Sequence, residues 1–298
     1  PVVPIPGPLS GNQFYFITRY DDCVAALKQP QIGKDYHVFP DLEARYGKAE
    51  GAFAVIDRHL LNLDPPDHTR LRALVHKAFT PSLVENLRGR IQNIADDLID
   101  RALATNSGRM DLIADYGFPI PITVIAELLG IPVADQDKFR EWTRAILFNN
   151  SFQTAQVAIM EFLMYMNELI DQRTREPKAD LLTNLVQTEE AGETLDRQEL
   201  ISMIFLLLVA GHETTVNLIG NGMMALFEFP EQRMKLQTQP DLIKPAIEEL
   251  LRYNGPVETA TMRFAFDDVI IGGTEIPRGE MVLVALHAAN RDPAVFAN

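Results

Sequence analysis

Between Leu206 and Leu218 the chain reads LLLVAGHETTVNL, and the residues from Ile201 to Ala210 that lead into it are mostly apolar. This pattern predicts a buried helix, yet Gly211, His212, Glu213, Thr214 and Thr215 interrupt it. A charged group inside a protein is costly unless something pairs with it or uses it. Two β-branched threonines after a glycine also weaken a helix locally, so something besides core packing must favour them.

Other residues with chemistry to offer lie up and down the chain. His68 and Arg72 are four apart in DPPDHTRLRALVHKAFTP, on one helix face beside an apolar stripe of Leu71, Leu74, Val75 and Ala78. They suit a bound carboxylate held by charge-assisted hydrogen bonds, or else form a solvated basic face with Arg70, His76 and Lys77. Glu249 and Arg252, three apart in EELLR and flanked by Ile247, Leu250 and Leu251, can pair; in a buried setting their bidentate geometry would matter. Arg263 shares one face of a strand with Thr261 and Ala265. Three familiar patterns fall away. His212-Glu213 opens like a zinc-protease H-E-x-x-H, but Val216 stands where the second histidine belongs. Gly220, Gly222 and Ala225 fit G-x-G-x-x-A only in mid-helix, the wrong context for a dinucleotide. Cys23, the one cysteine, reads as a packing residue.

The elements that must position these residues are mainly helical. Phe14 to Thr18 reads as a strand and the stretch from Arg19 to Pro30 as a short helix. Residues 31–63 read as a long loop with a helical turn or two. Pro65-Pro66 points to an extended approach, with Asp67 capping a helix that starts at His68. Helices follow to about Asn254. One is capped by Thr80 with Pro81 in its first turn, and another is stopped by Gly130 and Pro132. The long central one runs from about Arg197 to Phe229, closes at Pro230 and has neighbours on all sides. After Gly255 alternation returns, with turns at Gly272-Gly273 and Pro277-Arg278-Gly279, and predicts strands. The fold class is mainly α with small β-sheets at both ends, organised as one domain over residues 1–298.

Composition narrows the function. Among 298 residues, 27 Lys and Arg stand against 41 Asp and Glu, a net charge of -14 that disfavours non-specific nucleic-acid binding. Hydrophobic residues make up 47%, enough for a sizeable core. A single cysteine permits no internal disulfide and fits a reducing cytoplasm. The apolar run from Ile201 to Gly211 is about half the ~20 residues a membrane span needs, so no membrane association is expected.

Taken in order, DPPDHTRLRALVHKAFTP, LLLVAGHETTVN, EELLRYNGPV, RFAFDDVIIGGTEIPRGE and AANRDPAVF resemble the soluble bacterial branch of the cytochrome P-450 family of haem-thiolate monooxygenases. The resemblance covers essentially the whole chain and implies a P-450-like fold, incomplete at both ends and cut short at the C-terminus. It implies haem b as cofactor, with His68, Arg72 and Arg263 on its propionates and Glu249 with Arg252 as the buried pair behind it. Ala210, Gly211, Glu213 and Thr214 would cross the oxygen-binding face. There Gly211 would let a ligand approach the backbone. Thr214 would bond the Ala210 carbonyl, loosening the helix so that water enters. Glu213 would relay protons, and His212 is given no chemistry. The iron-ligating cysteine of this family lies in a Gly-rich loop downstream of ANRDP, beyond Asn298, so the metal ligand is not in this chain and the segment alone would make no haem-thiolate centre.

The resemblance also implies a reaction: hydroxylation or epoxidation of an apolar small organic molecule, with molecular oxygen and electrons from a ferredoxin- or flavodoxin-type donor. The substrate cavity would be lined by the 35–63 loop, with Phe53, Val55, Ile56 and Leu60, and by Phe148, Phe152, Val209, Val257 and Thr261. Arg70 and Lys77 are candidates for a basic patch that receives the acidic donor. A competing reading is a haem-free relative that stabilises a partner enzyme.

Overall fold

The computed structural model describes residues 1–7, 13–48, 50–105, 108–148 and 151–296. In chain order the elements begin with β1 (Val2–Pro6), β2 (Gln13–Ile17), α1 (Tyr20–Lys28), β3 (Ile32–Gly33), α2 (Pro40–Tyr46) and α3 (Ala52–Asp57). The helices α4 (Asp67–Ala78), α5 (Pro81–Thr105), α6 (Pro119–Leu128), α7 (Gln136–Phe148), α8 (Phe152–Arg175) and α9 (Leu181–Gln187) follow. A small hairpin, β4 (Glu189–Glu190) and β5 (Glu193–Thr194), leads to α10 (Arg197–Glu228). Then come α11 (Pro230–Thr238), α12 (Ile243–Asn254), β6 (Arg263–Ala265), β7 (Val269–Ile271), β8 (Thr274–Ile276), β9 (Met281–Val284) and α13 (Leu286–Ala289). By contacts the chain divides into two compact units, Pro1–Lys48 with Asn217–Asn298, and Ala49–Val216.

In the first unit a five-stranded sheet has the order β1-β2-β9-β6-β3, joining the strands expected at the two ends of the chain into one sheet. Only β2 and β9 run parallel; the other neighbours are antiparallel. Ile17, Ile32, Ala265, Val282 and Val284 fill its core together with Cys23 of α1. The Gly272-Gly273 turn joins β7 to β8 as the sequence indicates. The nine residues of α11, which opens on Pro230, are a helix that hydrophobic periodicity did not reveal, because none of them is buried.

The second unit is helical around one core. Val75, Ile125, Leu129, Phe139, Phe162, Met166 and Leu182 are all buried there. Local capping sets the helix starts. The Leu83 amide donates to Thr80 Oγ1 at 3.1 Å, the cap expected for α5. Ser151 Oγ and Asp180 Oδ1 accept the same kind of bond at the starts of α8 and α9. Two expectations need correction. Residues 31–63 are not one loop: they hold β3, a 3₁₀ turn at Tyr36–Val38, α2 and α3, elements too short to impose a readable period. The Pro65–Pro66 peptide is cis and Pro66 is helical rather than extended. Helix α4 starts one residue earlier than expected, and Asp67, inside its first turn, pairs with Arg58 at 3.2 Å instead of capping.

The polar anchor of this unit is a buried ion pair. Arg173 Nε donates to Asp180 Oδ2 at 2.6 Å, and its Nη2 donates to the Gly130 carbonyl at 2.6 Å, with both side chains under one-tenth exposed. Gly130 has φ +70°, and a Cβ there would stand 2.0 Å from Asp180 Oδ2. Gly130→Ala should therefore dislodge the carboxylate and leave a buried charge unpaired, costing about 3–5 kcal/mol. Denaturant unfolding should show a lowered midpoint; a stability within 1 kcal/mol of the parent, on that same scale, would mean that the pair does not hold the α6, α8 and α9 ends together.

Candidate functional site

Helix α10 changes character along its length. Leu200, Ile201, Met203, Ile204, Leu206 and Leu208 are buried around the helix, as a core element requires. From Ala210 the surroundings open: Ala210, Gly211 and Thr215 are exposed, Glu213 and Thr214 half-buried, while His212 and Val216 stay buried. The motif is thus not a buried interruption. It is the place where a core helix emerges as a ledge with its polar residues exposed or half-buried, His212 excepted. Thr214 Oγ1 donates to the Ala210 carbonyl at 2.6 Å, the bond the sequence predicts, and Thr215 Oγ1 donates to the Gly211 carbonyl at 3.2 Å. The predicted loosening is not seen: α10 stays helical from Arg197 to Glu228. Its length and hydropathy would also let it cross a membrane, but its first turns are core.

His68 and Arg72 lie on one face of α4, as their spacing requires, with Thr69, Ala73, His76 and Lys77 around an open groove. The face is cationic and its apolar side is sunk into the core through Leu71, Leu74, Val75 and Ala78. Arg70 points away from that role. It is ion-paired to Glu199 and lies 3.4 Å from Glu193, and the Glu199 carboxylate holds its guanidinium more firmly protonated still. Its charge is thus largely answered within the chain, which weakens it as part of a basic docking patch. Lys77 is exposed, and its Nζ donates to the Glu189 carbonyl at 2.7 Å.

Arg263 sits in β6, an inner strand of the five-stranded sheet, half-buried, with Nη1 3.4 Å from the Ile32 carbonyl. Glu249 and Arg252 form the expected bidentate pair, at 2.6 and 2.7 Å, and Arg252 Nη1 also donates to the Asn290 carbonyl. The pair is not buried, however. Glu249 is 58% exposed and α12 buries none of its residues. The Arg252 hydrogen bonds still hold the Glu249 carboxyl below its ordinary range. Of the expected substrate-lining residues, Phe53 and Phe152 stack with ring centroids 5.1 Å apart, Ile56 is buried, and Val55, Leu60 and Val209 are half-buried. Val55 and Leu60 pack on the core of the helical unit. Val257 is exposed and Thr261 half-buried. The side chain of Phe148, at the end of α7, lies outside the described residues.

Cys23 is a packing residue, as read from the sequence: its thiol is buried against the Ile17 carbonyl at 3.3 Å, and burial pushes it up to about 11. The residue that sequence reasoning passed over is His212. It is 3% exposed, and neither ring nitrogen has a partner among the described residues. The signal was available, since Leu208, His212 and Val216 share a four-residue spacing along the buried stripe.

The sequence profile described as cytochrome P450 matches residues 122–298. Cytochrome P450 107B1 of Saccharopolyspora erythraea is 47% identical over 97% of this chain and 72% of its own length. Cytochrome P450 monooxygenase PikC of Streptomyces venezuelae is 45% identical over 96% of this chain and 68% of its own. Among solved structures, the myxobacterial cytochrome P450 CYP267B1 in complex with myristic acid superposes with a TM-score of 0.88 at 44% identity, covering 99% of this chain and 74% of that one. Ordered motifs, helical architecture and these matches agree: the chain belongs to the cytochrome P450 family, whose members are haem-dependent monooxygenases.

Proposed function

We propose that the α10 ledge from Ala210 to Thr214 is the oxygen-handling face of this monooxygenase, and that it serves the oxidation of an apolar small molecule. The observation that carries this reading is the ledge itself: two small exposed residues followed by a carboxylate and a hydroxyl on an otherwise packed helix.

Haem b, the family's cofactor, fits the residues present on two counts. Gly211 is not required by the chain, because a Cβ there would meet only Ile125 at ordinary contact distance, 3.8 Å, so its bareness suits a flat group lying against the helix. The groove of His68 and Arg72 suits the anionic side arms of a porphyrin, since both can donate charge-assisted hydrogen bonds to a carboxylate. Arg263 is offered the same kind of task by the resemblance. Cys23 does not fit as the iron's thiolate, because burial keeps its proton on.

Bound haem supplies the iron at which molecular oxygen is reduced and split. The rest falls to this chain. Thr214 spends its proton on the Ala210 carbonyl, so its oxygen faces outward as an acceptor and can hold a water or a protonated oxygen in place. Glu213, half-buried and without an ion pair among the described residues, can collect a proton from solvent and pass it on. Ala210 and Gly211 leave room. Phe53, Phe152 and Val209 offer apolar surface for a substrate. The chain is read as one catalytic domain working in the cytoplasm, reduced by a ferredoxin- or flavodoxin-type protein.

Three outcomes follow, each in the complete haem-loaded protein. Thr214→Ala should bind substrate normally yet divert reducing equivalents, lowering product per NAD(P)H consumed by about tenfold or more, with peroxide accounting for the difference; unchanged coupling would remove Thr214 from the mechanism. Replacing His68 and Arg72 together by Gln should weaken haem retention by about tenfold or more, one or more charge-assisted bonds being lost; competition with apomyoglobin reads this directly, and equal retention rejects the groove. Lys77→Glu should slow the first electron transfer at low ionic strength and converge with the parent as salt rises; stopped-flow rates that match at every salt concentration would place the donor elsewhere.

A further inference from the structure

An imidazole sealed into a core with both nitrogens unanswered calls for a reason. His212 lies two residues from both Ala210 and Thr214. At 3.6 residues per turn, positions two apart stand about 200° apart around the axis. His212 therefore occupies the back of α10, directly behind the ledge. There its ring meets Phe118 edge-to-face, with centroids 4.3 Å apart and planes at 87°. Phe118 joins the π-helical stretch Leu112–Gly117 to α6, and its ring carries the Arg140 guanidinium of α7 at 5.3 Å. Three elements thus converge on this one ring.

A neutral imidazole always presents one donor and one acceptor. Leaving both dry in a core costs stability, and buried polar groups without protein partners are ordinarily completed by internal water. We propose that His212 is a positioning residue for the ledge: its uncharged ring, completed by an internal water, wedges α10 against Phe118 and sets the rotation that turns Ala210, Gly211 and Thr214 outward. The ring adds shape that an aliphatic residue would lack, because the edge-to-face contact defines an angle as well as a distance. The inference rests on the reading of the ledge as the oxygen-handling face.

The charge state belongs to the same design. Burial first, and then the field of Arg140, push His212 down to about 4. Arg140 has Asp137 within 3.5 Å on its own helix, and no other charged group among the described residues is resolved as shifting the imidazole. An unfolded chain would take up this proton near 6.5. As pH falls from there, the unfolded state binds a proton that the folded state refuses. The stability due to the neutral ring is complete above about 6.5 and drains away towards about 4.

The test compares His212→Ala, His212→Phe and Thr214→Ala with the parent, all haem-loaded, scoring coupling at neutral pH and melting temperature from pH 7.5 to 4. His212→Ala should lose coupling several-fold while retaining haem. His212→Phe keeps the wedge without the polar atoms; it should restore coupling and melt with a shallower acid dependence than the parent. If Thr214→Ala leaves coupling unchanged, the ledge reading itself fails. If Thr214→Ala uncouples but His212→Ala does not, or if His212→Phe fails to rescue, only the positioning role is overturned. A measurement on the parent stands apart from any variant's ability to fold. A high-resolution structure should show an ordered water within hydrogen-bonding distance of an imidazole nitrogen, and a dry site would refute the proposal.

Discussion

Everything at the candidate site depends on how α10 is held. Its first turns are clamped from all around by buried residues of the helical core, so its axis cannot drift. Past Leu208 that grip narrows to a single stripe of His212 and Val216. A helix buried on every side could offer nothing to a ligand, and one exposed on every side would not keep a side chain in place. The narrowing gives both properties in consecutive turns: the packed segment fixes the position, and the bare segment exposes the chemistry. Because the peptide hydrogen bonds continue through the transition, the ledge inherits the rigidity of the core.

The helical unit deals with buried polarity in two ways. Around Arg173 the demands are met within the chain: Asp180 neutralises the charge, the Gly130 carbonyl accepts a further hydrogen bond, and Asp180 also caps α9. Such a network ties helix ends to one another, and removing any one member exposes the others to the low-dielectric interior. His212 is the opposite case, a polar ring among apolar neighbours that stays neutral instead of finding a counter-charge. The first arrangement belongs where α6, α8 and α9 end; the second lies on the face of α10 opposite Ala210 and Thr214.

Legibility of the sequence followed the strength of its local signals. The long α10 with its stop at Pro230, the Thr80 cap and the Gly272-Gly273 hairpin were all readable because each rests on a rule spanning a few residues. The short helices between residues 31 and 63 were not, since six or seven residues complete too few turns to establish a period. Helix α11 was invisible for a different reason: it has no buried face to announce it. The spacing of His68 with Arg72 and of Glu249 with Arg252 set each pair side by side on its own helix. Exposure was harder. Apolar neighbours in sequence suggested that Glu249 and the Ala210–Thr215 stretch were buried, and the structure leaves much of both open. Composition records which residues are apolar; only packing decides which of them are covered.

Glycines show how such a site can be told from scaffold. Gly130 is imposed by the chain, through a left-handed backbone and a carboxylate where its Cβ would be. Gly222 is closely packed, because a Cβ would stand 3.2 Å from Leu250 Cδ1 on α12 and that side chain would have to shift by a few tenths of an ångström. Gly211 answers to neither constraint: its backbone is ordinary helix and a methyl group would fit against Ile125. Alanine would serve the helix better by about 1 kcal/mol. A residue that costs stability and relieves no strain within its own chain makes sense through what approaches from outside, and Gly211 stands beside the only carboxylate and the first of two hydroxyls between Val209 and Val216.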